Sequence, residues 1–177
     1  MTNLLKIPAF SDDGDLHVVI ETPRGSRAKL KYNPKIKSFT LSKSLLAGLT
    51  YPYDWGFIPG TVSEDGDAVD VMVIHDAATY PGMVLTCNVI GVLQIEQIKK
   101  RKSERNDRVF AAPCGSHAER DLGDVRKLSS AQREELVKFF IATDELEDKQ
   151  LNILGWKGPK VALKTIKKAE KAFQRDK

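Results

Sequence analysis

Several things are scarce in this 177-residue chain, and each scarcity excludes something. There are two cysteines, Cys87 and Cys114, far apart and in no CxxC pair. That spacing predicts two reduced thiols in a reducing compartment, with neither a disulfide framework nor a thiolate zinc site. The three histidines, His17, His75 and His117, show no HxxxH or HExxH spacing, so a zinc enzyme is not expected. No apolar run approaches the roughly 20 residues that span a bilayer, and the stretch Met83–Leu93 is already interrupted by Thr86, Cys87 and Asn88. The N-terminus has no basic segment followed by an apolar one, so no signal peptide is expected. Linkers, repeats and low-complexity segments are lacking too. These absences predict a soluble cytoplasmic protein with no membrane partner, folded as one domain over 1–177.

Composition agrees. At 41% hydrophobic and 29% charged residues the chain is globular in character. A domain of this length buries roughly 70% of its unfolded surface and needs no covalent staple. The net charge of +4 is local. Residues Lys160–Lys177 carry a net +5, and a second basic island lies at Lys99–Arg108. Neither interleaves with aromatics along strands as a base-stacking surface requires, so no nucleic-acid partner is expected.

The first 115 or so residues read as β-structure. Leu16–Glu21 follows a turn-forming Asp12–Asp15 segment, and Ala28–Tyr32 and Ser38–Lys43 are short strands. Tyr51–Gly60, rich in Pro, Gly and aromatics, predicts an ordered loop or irregular strand. Val69–Ile74 is an apolar strand, Met83–Glu96 a long one bending at Gly91, and Arg108–Ala112 its partner across the hairpin Gln97–Asp107. The last third reads as helical. Ser129 and Gln132 have capping-box spacing before an apolar stripe at Leu136, Phe139 and Phe140. Pro159 opens a final helix with Ala162, Ile166, Ala169 and Phe173 on one face. Strands followed by helices predict a mainly β (α+β) architecture, a small β-barrel with two C-terminal helices packed outside.

The string Glu64-Asp65-Gly66-Asp67-Ala68-Val69-Asp70-Val71 places three aspartates within six residues, at the entrance to an apolar strand. Like charges at this spacing repel, and a buried carboxylate without compensation is costly. Two readings follow: a solvated acidic turn, or carboxylates gathered around a cation. Asp65 and Asp67 suit either, because Asp and Gly favour turns. Asp70, between Val69 and Val71, favours the cation. All-oxygen donors point to magnesium, manganese or calcium. An EF-hand loop beginning at Asp65 fails, because Asp70 takes the place of its glycine. Lys29, Lys31 and Lys43 supply positive charge on neighbouring strands, a pattern that also suits an ordinary solvated face.

Together these residues resemble the first family of soluble inorganic pyrophosphatases. Asp65-Gly66-Asp67-Ala68-Val69-Asp70-Val71 is similar to the family's Asp-x-Asp-Pro-x-Asp signature, with Ala68 in place of the proline. Glu21-Thr22-Pro23 resembles its Glu-Ile-Pro turn, with Lys29 following at the expected distance. Tyr51-Pro52-Tyr53-Asp54-Trp55-Gly56-Phe57-Ile58-Pro59 resembles its aromatic loop, and Gly91-Val92-Leu93 and Phe139-Phe140 fall in register. The resemblance implies a five-stranded closed OB-like barrel, hydrolysis of pyrophosphate, Mg2+ as cofactor with Mn2+ as a substitute, and a homo-oligomer. It implies that Asp65 and Asp70 ligate metals and that Asp67 is the general base. Glu21 is then a water-mediated metal partner, and Lys29 and Tyr51 contact phosphate oxygens. Lys43 stands where the family has a phosphate-clamping arginine, and Trp55 where it has a second tyrosine.

Other departures concern charge. Lys31 replaces a glutamate, and Thr143-Asp144 replace Tyr-Lys, which makes Lys31 the candidate cation opposite Asp144. In the hairpin, counting places Arg108 on a family lysine and Asn106 on an aspartate. Asp107 is therefore the candidate third metal carboxylate, with Glu96 or Glu104 for a fourth. The alternatives are a diverged relative that binds a phosphate compound with little turnover, and a nucleic-acid-binding OB module.

Overall fold

The computed structural model describes residues 3–100, 102–117 and 121–175. Nine strands and two long helices make up the described chain: β1 (Leu16–Thr22), β2 (Ala28–Asn33), β3 (Ser38–Ser44), β4 (Asp54–Ile58), β5 (Val69–Val73), β6 (Val84–Lys99), β7 (Lys102–Arg105), β8 (Arg108–Pro113), α1 (Ser130–Glu145), β9 (Gln150–Lys157) and α2 (Pro159–Arg175). Antiparallel pairing links β1 to β4 and β4 to β5, β5 runs parallel to β8, and β8 pairs with β6. Strand β6 then pairs back onto β1, with Leu16 facing Cys87, which closes a ring of five strands. Beyond the ring β6 carries β7 and β9, while β2 and β3 form a separate hairpin.

Strand alternation decides what each face carries. On β5, Val71 and Val73 join a core with Ala162, Ile166 and Ala169 of α2. Met72 points the other way, into a cluster with Trp55, Phe110 and the α1 residues Leu136, Phe139 and Phe140. Asp70 and Arg108 share parity with Met72 and Phe110, so both fall on the α1 side. Helix α1 begins as the sequence predicts. The Gln132 N–H donates to Ser129 Oγ at 3.2 Å and the Ser129 N–H to Gln132 Oε1 at 3.0 Å. Its buried stripe, Leu136–Phe139–Phe140–Thr143, continues through Asp144 and so delivers a carboxylate to the same side.

The sequence reading needs correction in two places. Within Tyr51–Gly60, Asp54–Ile58 is a regular, wholly buried strand, because it is paired on both edges by β1 and β5. The last third is not all helix, since Gln150–Lys157 is a strand paired with the far half of β6. Among the described residues no helix is long and apolar enough to cross a membrane.

Candidate active site

The three aspartates enter from a tight turn before β5. The Ser63 N–H donates to the Asp67 carbonyl at 2.7 Å, the Asp67 N–H donates to Asp65 Oδ1 at 3.1 Å, and Gly66 takes a φ of +85°. That left-handed position suits glycine. Asp70 follows on β5 opposite Phe57 of β4. All three line one cavity of about 510 Å3, together with Glu21, Lys29, Lys31, Lys43 and Trp55. Tyr51 is buried beside it. It packs against Trp55 and Phe139 and lines a small recess with Lys29, Arg108 and Thr143.

The cavity wall holds seven carboxylates against six cations, and the geometry interleaves them. Lys31 Nζ donates to Asp67 Oδ2 at 2.7 Å. Arg108 donates to Asp70 and to Asn106 Oδ1, approaches Asp144 at 3.5 Å, and lies 5.4 Å over the Trp55 ring. Asn106 in turn donates to Asp65 Oδ2 and to Gln97 Oε1, each at 3.0 Å, and Gln97 donates to Asp144 at 3.1 Å. Lys29, Lys43 and Lys149 converge on Glu147. Among the described residues, Arg108 Nε is the one buried side-chain nitrogen or oxygen without a hydrogen-bond partner.

Burial pushes the Glu21 carboxyl up to about 7, against a Tyr32 N–H that donates to it at 2.6 Å. Burial also raises Asp65, with Asp70 and Asp67 adding repulsion. It raises Asp70 despite Arg108 and Lys29. Burial works against the Lys31 ammonium, but its bond to Asp67 and the attraction of Asp67, Glu21 and Asp70 together outweigh that and raise it. Desolvation lowers Lys43 and holds the Tyr51 phenol far above its ordinary range, so its O–H stays a donor.

The donor chemistry suits a hard divalent cation. Glu21, Asp65, Asp67 and Asp70 line one cavity with no Cys or His among its walls. Desolvation raises three of the four from their ordinary values, and a nearby cation relieves this. Among the described residues no three such side chains converge closely enough to hold a metal ion as they stand. The cause is visible, since Lys31 draws Asp67, Arg108 draws Asp70, and Asn106 holds Asp65.

The placement of the predicted residues is uneven. Glu21, Lys29, Lys43, Trp55, Asp65, Asp67 and Asp70 come together, and Tyr51 adjoins them. Asp107 does not. It accepts from the Arg105 guanidinium at 2.9 Å and from the Ile95 N–H at 3.1 Å, and it lines a separate groove with Val62, Glu64 and Lys168. One step along the link between β7 and β8 sends the side chain the other way, so Asn106 occupies the site position. Glu96 is taken up by Asn152, and Glu104 is exposed on β7. Lys31 does not answer Asp144, because the cation beside Asp144 is Arg108. Sequence reasoning missed Glu147, Lys149 and Gln97 altogether, and touched Lys99 only as part of a basic hairpin. Only Asp144 carried a signal, through its helical spacing from Leu136 and Phe140.

Comparison with known proteins bears on this arrangement. A sequence profile described as inorganic pyrophosphatase matches residues 18–174. The chain is 33% identical over 172 residues to the inorganic pyrophosphatase of a Synechocystis strain, covering 97% of this chain and 99% of that one. It is 34% identical over 166 residues to that of Saccharolobus solfataricus, covering 92% and 94%. The fold is similar to the crystal structure of inorganic pyrophosphatase from Thermus thermophilus, with a TM-score of 0.87 and 28% identity over 98% of this chain and 99% of that one.

Proposed function

We propose that this chain, which belongs to the inorganic pyrophosphatase family, hydrolyses pyrophosphate to two phosphates with Mg2+ held by Asp65, Asp70 and, through water, Glu21. The observation that carries the reading is the meeting of four carboxylates with Lys29, Lys43 and Arg108 in one cavity. Pyrophosphate is a polyanion that repels an anionic nucleophile, so both its charge and the water's proton need management. Bound Mg2+ supplies charge neutralisation and makes the attacking water more acidic.

The chain's own groups do the rest. Asp67, on an exposed turn with its carboxylate facing the cavity, accepts the proton of the attacking water. Lys31 must release Asp67 for this, and their pairing at a half-exposed position is weak enough to break. Lys29 and Lys43 bind phosphate oxygens as point charges, and the Trp55 N–H and Tyr51 O–H are neutral donors beside them. Arg108 holds Asp70 in place and keeps a spare buried N–H, suited to an oxyanion. Mn2+ is expected to substitute for Mg2+, as an oxygen donor set allows. A cytoplasmic location fits a buried Cys87 and an exposed Cys114 outside any disulfide.

Phosphate release from pyrophosphate tests the reading directly. Activity should require Mg2+, vanish in EDTA and return with excess Mg2+. Undiminished activity in EDTA, or none with any divalent metal, sinks it.

A further inference from the structure

The α1–β9 turn brings a carboxylate into the middle of the phosphate-binding lysines. Helix α1 ends at Glu145, and the Asp144 carbonyl accepts from the N–H groups of Glu147 at 2.8 Å and Lys149 at 3.2 Å. Asp148 between them takes a φ of +56°, a conformation Asp tolerates better than most residues. This compact turn points Glu147 inward. Its Oε1 accepts from Lys29 Nζ at 3.1 Å and lies 2.8 Å from Lys43 Nζ, while Oε2 lies 2.8 Å from Lys149 Nζ. All four side chains are at least three-quarters buried and all line the cavity. Despite its burial, the three ammoniums hold Glu147 well below the usual carboxylate range.

One carboxylate thus holds together three cations that otherwise repel one another. A phosphate group approaching Lys29 and Lys43 meets the same ammoniums that Oε1 occupies. Carboxylate and phosphate oxygens compete for one set of donors, and the carboxylate, being tethered, competes at high effective concentration. Pyrophosphate, with two phosphoryl groups and further contacts at the carboxylate end of the cavity, is better placed to displace it than a single phosphate.

We infer that Glu147 is a positioning residue that stands in for phosphate between turnovers and returns to the lysines as product leaves, so that it weakens product binding. This rests on the pyrophosphatase reading for its place in turnover, but its binding consequence does not. Titration of inorganic phosphate into metal-free protein by calorimetry tests it without any catalysis. Glu147→Gln should bind phosphate about tenfold tighter, the scale of one charge-assisted hydrogen bond no longer in competition. In steady state the same variant should show lower KM for pyrophosphate and lower kcat, as product is retained. A purely structural role predicts the opposite sign, since lysines left without their carboxylate would splay and bind phosphate more weakly. Unchanged or weaker phosphate affinity therefore overturns the inference. If Glu147→Gln does not fold, Glu147→Asp carries the test. Its charge is kept but withdrawn by one methylene, so phosphate should bind a few-fold tighter, and an unchanged affinity again overturns it. Wild-type protein that fails to hydrolyse pyrophosphate, beside a variant that binds phosphate more tightly, would refute the proposed function and leave Glu147's role standing.

Discussion

At the scale of single residues, the site is a set of carboxylates drawn to neighbouring donors, and substitutions should separate their roles. Asp67→Asn should lower turnover at least ~100-fold, the lower range for removing a general base. Asp70→Asn should act on metal binding instead, so raising Mg2+ should recover part of its rate. Steady-state kinetics across a Mg2+ series distinguishes the two, and wild-type rates in both would restore the solvated-turn reading. Glu21 contributes a pH dependence to stability. Burial lifts its carboxyl from an ordinary 4.5 to about 7. Between those values the folded protein holds a proton that the unfolded chain has released, so stability falls as pH rises through the window. In urea unfolding with metal chelated, Glu21→Gln should gain on the wild type by up to roughly 3 kcal/mol between about pH 5 and about pH 8. Equal pH dependence in both proteins would show that Glu21 is not buried as an acid. The sequence exposed these residues through clustering, since Asp65, Asp67 and Asp70 sit within one string. It hid Glu147, because nothing local separates a carboxylate that reaches three distant lysines from one facing solvent. Counting pointed to Asn106, and the one-residue slip that would put Asp107 in its place fails because neighbouring positions of an extended chain face opposite ways.

Among the elements, β4 most clearly joins fold to site. It runs between β1 and β5 and carries Trp55 into the cavity wall. Gly56 permits the close approach to β1, since a Cβ there would lie 2.0 Å from the Val19 carbonyl oxygen. Gly56→Ala should therefore cost about 3 kcal/mol or more, beyond ordinary overpacking because the obstacle is backbone. Denaturant melts measure this, and a cost under about 1 kcal/mol, the level of surface substitutions and mild repacking, would mean that the strands can part. The strand was hidden by Tyr51-Pro52-Tyr53 and Pro59-Gly60, whose turn chemistry reads as loop while the five residues between pair on both edges. Strand β9 was hidden differently. Leu151 and Ile153 alternate as in a strand, but a register shift opposite Gln94 and Ile95 breaks the period before Trp156. Helices α1 and α2 were legible throughout, because capping box, proline and apolar stripe are all local signals.

For the whole molecule, family membership makes self-association the expectation, and sedimentation at micromolar concentration should show a species well above 19.7 kDa. A clean monomer would refute it and leave the chemistry untouched. The arrangement of charge also speaks to partners. The basic residues of α2 do not line the cavity, whose own balance is slightly acidic, and among the described residues neither offers a strip of stacked aromatics.

Strand β6 has a consequence in time as well as in space. It bonds to β1, β7, β8 and β9, and its pairing with β1 joins residues as distant as Leu16 and Cys87. A ring closed by so long a loop cannot assemble piecemeal from the N-terminus, and folding dominated by such distant pairings is slow. Glu21, Asp70, Arg108 and Asp144 therefore come within reach of one another only after most of the chain has left the ribosome. Until then the nascent chain carries its acidic turn and its lysines as separate, hydrated charges. In the finished protein the β6 amides between Val84 and Leu93 should exchange with solvent last and together, since parting that stretch from β1 or β8 opens the ring.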